Sequence, residues 1–362
     1  MRFVDEYREP RLARALVGRI NERFGRIARP VTLMEVCGSH TQAICRYGIR
    51  SLLPAGLRLL SGPGCPVCVT AVGDVDAALW LASQPGVVFA TFGDMMRVPG
   101  TAGATLQKLK ADGADVRPVA SALEALAMAE EGPARPVVLM GIGFETTAPT
   151  VASLLKRGRS QGVANLSVYS VHKVIPPALR LLLADQDLRL DGFLCPGHVS
   201  TIIGAGAYAF LPQAGKAACV TGFEPLDVLE GIDLLLAQIE RERPEVALQY
   251  RRAVRFEPNH RAMALLEEVF SLEDAPWRGL GVIPGSGFRF RDDYEGFDAR
   301  RRYTIPELHS AEPLGCACGE ILRGIREPTE CPLFKCVCTP ANPVGPCMVS
   351  TEGSCAARYR YG

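Results

Sequence analysis

Residues 62–69 read GPGCPVCV and set two cysteines, Cys65 and Cys68, among glycines and prolines. A Cys-x-x-Cys pair is half of a zinc site, a redox dithiol, or two unrelated core thiols. No second pair of that spacing exists in the chain, so zinc would need Cys37 and His40, spaced C-x-x-H in CGSHT, as its other ligands. A reversible dithiol–disulfide is the favoured reading. Glycine and proline hold the pair in an exposed turn, and a helix beginning near Val69 favours the first thiol's thiolate form. Cys37 ends the apolar run at 31–36. A lone thiolate there serves as a nucleophile, as a single metal anchor with open coordination positions, or as a packed core thiol. Spacing leaves all three open. Cys45 and Cys219 have no companions and read as core.

Of the 13 cysteines, seven crowd the last 47 residues. They are Cys316, Cys318, Cys331, Cys336, Cys338, Cys347 and Cys355, separated by one, twelve, four, one, eight and seven residues. Zinc favours paired C-x₂₋₄-C ligands, whereas a [4Fe–4S] cube takes four thiolates from separate loops, and the irregular spacing suits the cube. Pro332, Pro340, Pro343 and Pro346 break up any regular helix in this stretch. The C-x₃-C-x₂-C spacing of radical enzymes is absent.

These thiols belong to a neutral, well-packed chain. Forty basic residues face 39 acidic ones, so no basic excess points to nucleic acid. The N-terminus is charged throughout and has no apolar core of a secretory signal, and no apolar run reaches membrane-spanning length. The expectation is a cytoplasmic, soluble protein, and reducing conditions argue against a disulfide framework. In the first 30 residues Leu12, Leu16, Ile20 and Phe24 recur at helical spacing on a basic helix, which predicts packing against its own protein.

The elements that must position the cysteines repeat one pattern from 31 to about 240: a short apolar strand, a glycine-bearing loop, then a helix. Strands are expected at 31–36, 57–61, 87–91, 115–120, 137–141, 165–171, 191–195 and 217–221. Most are continuous apolar runs, as in parallel strands covered on both faces. The fold class is α/β: two similar doubly wound parallel-sheet domains facing a cleft, plus a cysteine-rich iron–sulfur C-terminal domain. The expected division is an N-terminal helix at 1–30, one α/β domain at 31–131, a second at 132–240, and a helical, loop-rich region at 241–362. GFETTAPT (143–150) and GFEPLDVL (222–229) suggest a loose internal kinship of the two halves.

The unusual residues follow strands: CGSHT, GPGCPVC, FGDMMRVPG, GFETT, HK, CPGHVS and GFEP. In open parallel sheets such loops share one crevice, where ligands bind. No Walker A motif, G-x-G-x-x-G or G-x-S-x-G occurs, so the expected chemistry is that of thiolates. Glu145, Thr146 and Thr147 read either as an anion site or as a cap for the helix that follows them, and capping is the favoured reading.

VCGSHT, SGPGCPVCVT, FGDMMRVPG, GFETTAPT, CPGHVSTIIG, GFEPLDVL and the ending CMVSTEGSCAARYRYG resemble the HypD family of hydrogenase maturation factors, from about residue 31 to the C-terminus. The resemblance implies a scaffold for assembling the Fe(CN)₂CO unit of [NiFe]-hydrogenases. It implies a small HypC-type chaperone as partner in holding one iron ion, and a HypE-type protein as cyanide donor. The iron anchor then falls on Cys37, and the redox pair on Cys65 and Cys68. The [4Fe–4S] ligands fall on Cys318, Cys331, Cys338 and Cys355, with Cys316, Cys336 and Cys347 as extras. Dithiol and cluster together would relay electrons for cyanide transfer. His40, Asp94, His198 and Glu352 stand in matching motifs as candidates for proton handling or ligand orientation. A freestanding iron–sulfur thiol/disulfide oxidoreductase is the alternative.

Overall fold

The computed structural model describes residues 5–185 and 188–362, so residues 1–4 of the N-terminal segment lie outside it. All eight expected strands are present: β1 (Val31–Glu35), β2 (Leu57–Ser61), β3 (Val88–Phe92), β4 (Asp115–Val119), β5 (Val137–Gly141), β6 (Leu166–Ser170), β7 (Gly192–Pro196) and β8 (Ala217–Thr221). Every residue of β5 to β8 is buried, which is why they read as unbroken apolar runs. Three strands carry no such signal. β9 (Val246–Leu248) is short and half-buried, while β10 (Phe270–Trp277) and β11 (Gly281–Phe290) form an antiparallel hairpin with a mixed burial pattern.

The pairing corrects the order in which the strands are shared out. One sheet runs β2-β1-β7-β8-β9 and the other β4-β3-β5-β6, with every pair parallel. The second sheet is thus inserted whole between β2 and β7 of the first, and the two do not follow one another along 31–131 and 132–240. Each parallel run is locally self-consistent, so burial pattern alone does not reveal that β7 returns to pair with β1. Renumbered within its own sheet, each begins 2-1-3-4, so the kinship of the halves lies in strand order. The two Gly-Phe-Glu phrases do not mark it, because they follow the third strand of one sheet and the fourth of the other. Each sheet reverses direction of growth beside its first strand, between β1 and β7 and between β3 and β5, and ligand crevices form at such switch points.

The helix Pro10–Ile27 lies on the helix Pro225–Glu240, as its apolar stripe predicts. Ile20 is fully buried, Leu16 and Phe24 are half-buried, and Leu12 is left exposed. Arg23 bonds both Asp233 and Glu240, and Arg26 bonds Glu240. The residues after 240 do not form a separate core. β9 extends the first sheet, and the largest apolar cluster runs from Met34 and Phe89 through Cys65 and Cys68 to Trp277 and the C-terminal cysteines.

Candidate functional site

Cys37 follows β1 and stands at the N-terminus of the helix Gly38–Arg46, in extended backbone. The loop after β2 is stitched to it: the Gly38 N–H donates to Gly64 O at 2.9 Å. A Cβ on Gly64 would lie 2.1 Å from the Cys37 nitrogen, so only glycine allows the two loops to meet. Glu35, fully buried on β1, accepts from the Cys37 N–H at 3.0 Å and from the Thr41 hydroxyl. Burial lifts its carboxyl to about 6. Burial first, then the charges of Glu352 and Glu35, push the Cys37 thiol up to about 12, while the N–H groups of His40 and Ser39 act the other way. At neutral pH the free thiol therefore keeps its proton.

Cys37 lines a cleft of about 430 Å³ together with Ser39, Gly64, Pro66, Gly143, Phe144, Thr146, Thr147, His198, Ile202 and Glu352. Four of the seven singled-out loops, those after β1, β2, β5 and β7, meet here. Glu352 arrives from the far end of the chain and accepts from the Ser39 hydroxyl at 2.6 Å. Gly38 makes room for it, since a Cβ there would come within 2.5 Å of Glu352 Cβ. His198 stacks on Phe223 at 3.9 Å on the cleft wall. Asp94 is exposed and does not line the cleft, although its charge helps to raise the Glu352 carboxyl after burial and against the Ser39 bond. His40 lies behind the wall, fully buried, with Nε2 within 3.1 Å of Thr221 O and 2.9 Å of Gly222 O. Nε2 therefore carries the proton, and burial lowers the ring's pKa to about 4. A larger groove of about 790 Å³ runs between the loop at 97–105 and the tail, and none of the candidate residues lines it.

The GFETT loop does not cap its own helix. The Thr147 hydroxyl turns back to Ile142 O and Phe144 O, and the helix Ala148–Ser160 has no side-chain cap. Glu145 instead accepts from the Ile175 N–H at 3.0 Å, at the start of another helix. Spacing in sequence suggests the nearest helix, and the tertiary fold supplies a different one.

Cys65 and Cys68 are joined by a disulfide. The expected exposed turn is a buried one: Cys65 is 4% exposed and Cys68 0%. Pro66 and Gly64 face the cleft in their place, because the turn is wedged between the Cys37 loop and the C-terminal region. The short helix begins at Pro66 and not near Val69, with Cys65 as its cap accepting from the Cys68 N–H at 3.2 Å.

Behind the disulfide six of the seven tail cysteines line one enclosed space. Cys316, Cys318, Cys331, Cys338, Cys347 and Cys355 surround it, with Ile321, Phe334 and Met348, and no polar surface faces it. Cys336 points outward and is exposed. Cys318 Sγ lies 2.7 Å from Cys347 Sγ, well inside the contact distance of two unbonded sulfurs. Among the described residues no three His, Cys, Asp or Glu side chains converge as ligands of one ion would. A cube spreads its four thiolates over four irons, so an apolar enclosure ringed by thiols is the environment that it requires.

A family profile described as "HypD: Hydrogenase formation hypA family" matches residues 11–362. The chain is 46% identical to the hydrogenase maturation factor HypD of Azotobacter vinelandii over 369 residues, 100% of this chain and 97% of that one. It is 44% identical to the factor of the same name from Escherichia coli K12 over 367 residues, with 100% and 98% covered. The chain belongs to the HypD family.

Within this HypD-family chain, three functional-looking features escaped the sequence. Glu35 was hidden inside an apolar strand, where a lone acidic residue two places before Cys37 is the only signal. Ser39 shows its role only once Glu352 is folded beside it. The pairing of Cys318 with Cys347 has no trace in spacing. No described helix is long and apolar enough to cross a membrane.

Proposed function

We infer that this protein acts in hydrogenase maturation as the scaffold on which the Fe(CN)₂CO unit of [NiFe]-hydrogenases is assembled. The observation that carries the reading is the meeting, in a chain that matches this family over residues 11–362, of Cys37, the Cys65–Cys68 loop and Glu352 at one cleft. The iron is cargo. Cys37 anchors it as thiolate, with the cysteine of a HypC-type chaperone completing the hold, and a soft thiolate donor suits an iron that accepts cyanide and carbon monoxide.

The transfer balances on the thiols. A HypE-type donor carries cyanide as a thiocyanate; breaking its S–C bond needs two electrons. Thiolates at Cys65 and Cys68 provide both by closing to the disulfide, which leaves a thiolate on the donor and cyanide for the iron. Glu352, with its raised carboxyl, and His198 handle protons or orient the incoming group, while neutral His40 fixes the helix that presents Cys37.

Cys331, Cys338 and Cys355 would hold a [4Fe–4S] cluster, with one of Cys316 and Cys318 as the fourth ligand. Cys318 is the fourth ligand that the family resemblance implies, and Cys316 and Cys347 line the same enclosure beside it. When bound, the cluster supplies electrons singly. Cys68 Sγ lies 4.0 Å from Pro346 O, the residue before Cys347, so the two thiol sites are in direct contact through the core.

The test is an infrared spectrum of anaerobically purified protein, co-expressed with a HypC-type chaperone, in the metal-cyanide and metal-carbonyl region. Bands in the parent that vanish in Cys37→Ala are expected. If neither protein shows bands although complex and cluster are intact, the freestanding oxidoreductase replaces the scaffold.

A further inference from the structure

Arg278, the residue after β10, joins the two thiol sites. It is 2% exposed. Its backbone N–H donates to Val69 O at 2.8 Å and its Nε donates to Thr70 O at 2.9 Å, so it grips the chain directly after Cys68. Its Nη1 meets Glu312 Oε2 at 2.5 Å, four residues before Cys316. Its Nη2 is buried and has no partner. Gly279 follows with φ +75° and lies against the helix Cys318–Leu322, where a Cβ would come within 2.3 Å of Gly319 Cα. The hairpin turn is therefore pressed onto the cysteine enclosure. The contact of Gly279 with Gly319 sets Arg278 beside the segment that carries Cys316 and Cys318.

A guanidinium stays charged wherever it is placed, and a buried one needs compensating negative charge. Glu312 supplies one carboxylate, but that side chain is half exposed to water, at 49%, and leaves Nη2 unmatched. The cysteine enclosure, against which the next residue packs, supplies negative charge when its thiols are ionised around a metal centre. We propose that Arg278 is a positioning residue that sets the reduction potential of the centre held by the cysteine enclosure, favouring its reduced, more negative state. The inference rests on reading that enclosure as a [4Fe–4S] site. One-electron reduction adds a negative charge to a buried centre, and a fixed cation beside it stabilises the product more than the reactant.

The experiment is an anaerobic redox titration of the full-length protein with dithionite and mediators, followed by the cluster's visible absorption and its electron paramagnetic resonance. Iron and sulfide are assayed first. Arg278→Met is expected to move the midpoint to more negative potential by at least about 59 mV, which is tenfold in a one-electron equilibrium. Arg278→Lys keeps the charge and moves it less. Glu312→Gln removes the partly exposed carboxylate and leaves the cation, so its midpoint moves the opposite way, to more positive potential. A merely structural role does not give opposed shifts at equal cluster content. Equal midpoints in cluster-loaded parent and variants overturn the role of Arg278 and leave the cluster standing. A parent without iron and sulfide overturns the ligand reading, and this inference with it. Should Arg278→Met fail to fold, Glu312→Gln decides alone: no positive shift sinks the proposal.

Discussion

Cys37 is held in its protonated form by the groups that make it useful. Burial and two carboxylates oppose the bare thiolate, so near neutral pH only a small fraction of the thiol is ionised. Glu352 is the larger of the two carboxylate influences. Glu352→Gln keeps an acceptor for Ser39 while removing charge, and so lowers the Cys37 pKa. Alkylation of Cys37 by iodoacetamide at pH 8, read by mass spectrometry on metal-free protein, is expected to quicken about threefold or more. An unchanged rate would show that burial alone holds the proton.

The elements meet where side chains are missing. Gly64 carries the contact between the loops after β1 and β2, and its neighbour there is backbone, which cannot swing aside. Gly64→Ala is expected to destabilise the protein by roughly 3 kcal/mol or more and to loosen the disulfide turn from Cys37. Gly93 follows β3 in a comparable place, yet nothing lies within 4 Å of a Cβ added to it. Gly93→Ala should therefore melt with the parent. Thermal unfolding followed by circular dichroism compares the two, and equal melting of both variants would refute the close-approach argument.

Buried titratable groups give the whole molecule an opposed pH dependence. Burial holds His40 at about 4 and His172 at about 3, below the ordinary 6.5. As pH falls below 6.5 the unfolded histidines take up protons that the folded ones refuse, so stability is lost toward acid. Glu35 and Glu145 act the other way. Their folded values, about 6 and about 7, exceed the ordinary 4.5, so the folded state binds the extra protons and stability is lost as pH rises from 4.5 through those values. Glu145 Oε2 is buried without a partner. Glu145→Gln keeps the Ile175 contact and removes the charge, and is expected to add roughly 2 kcal/mol at pH 8, with most of the gain gone at pH 5. Urea unfolding at the two pH values measures the difference. A gain equal at both would mean that the carboxyl is not the cause.

The order of strands and helices up to residue 221 was legible because burial on both faces leaves continuous apolar runs, which a linear sequence records. The glycines, the Cys-x-x-Cys pair and the clustered tail cysteines were legible as residue types set just after strands. Pairing was not. That β7 returns to β1, that Glu352 folds onto Gly38, and that Arg278 stands between two groups of thiols are contacts between residues far apart in the chain. Periodicity reports which face of an element is buried, but not which element buries it. The exposed turn expected for Cys65 and Cys68 failed for the same reason: Gly and Pro fix a local bend, whereas the solvent around it depends on what the rest of the chain packs there.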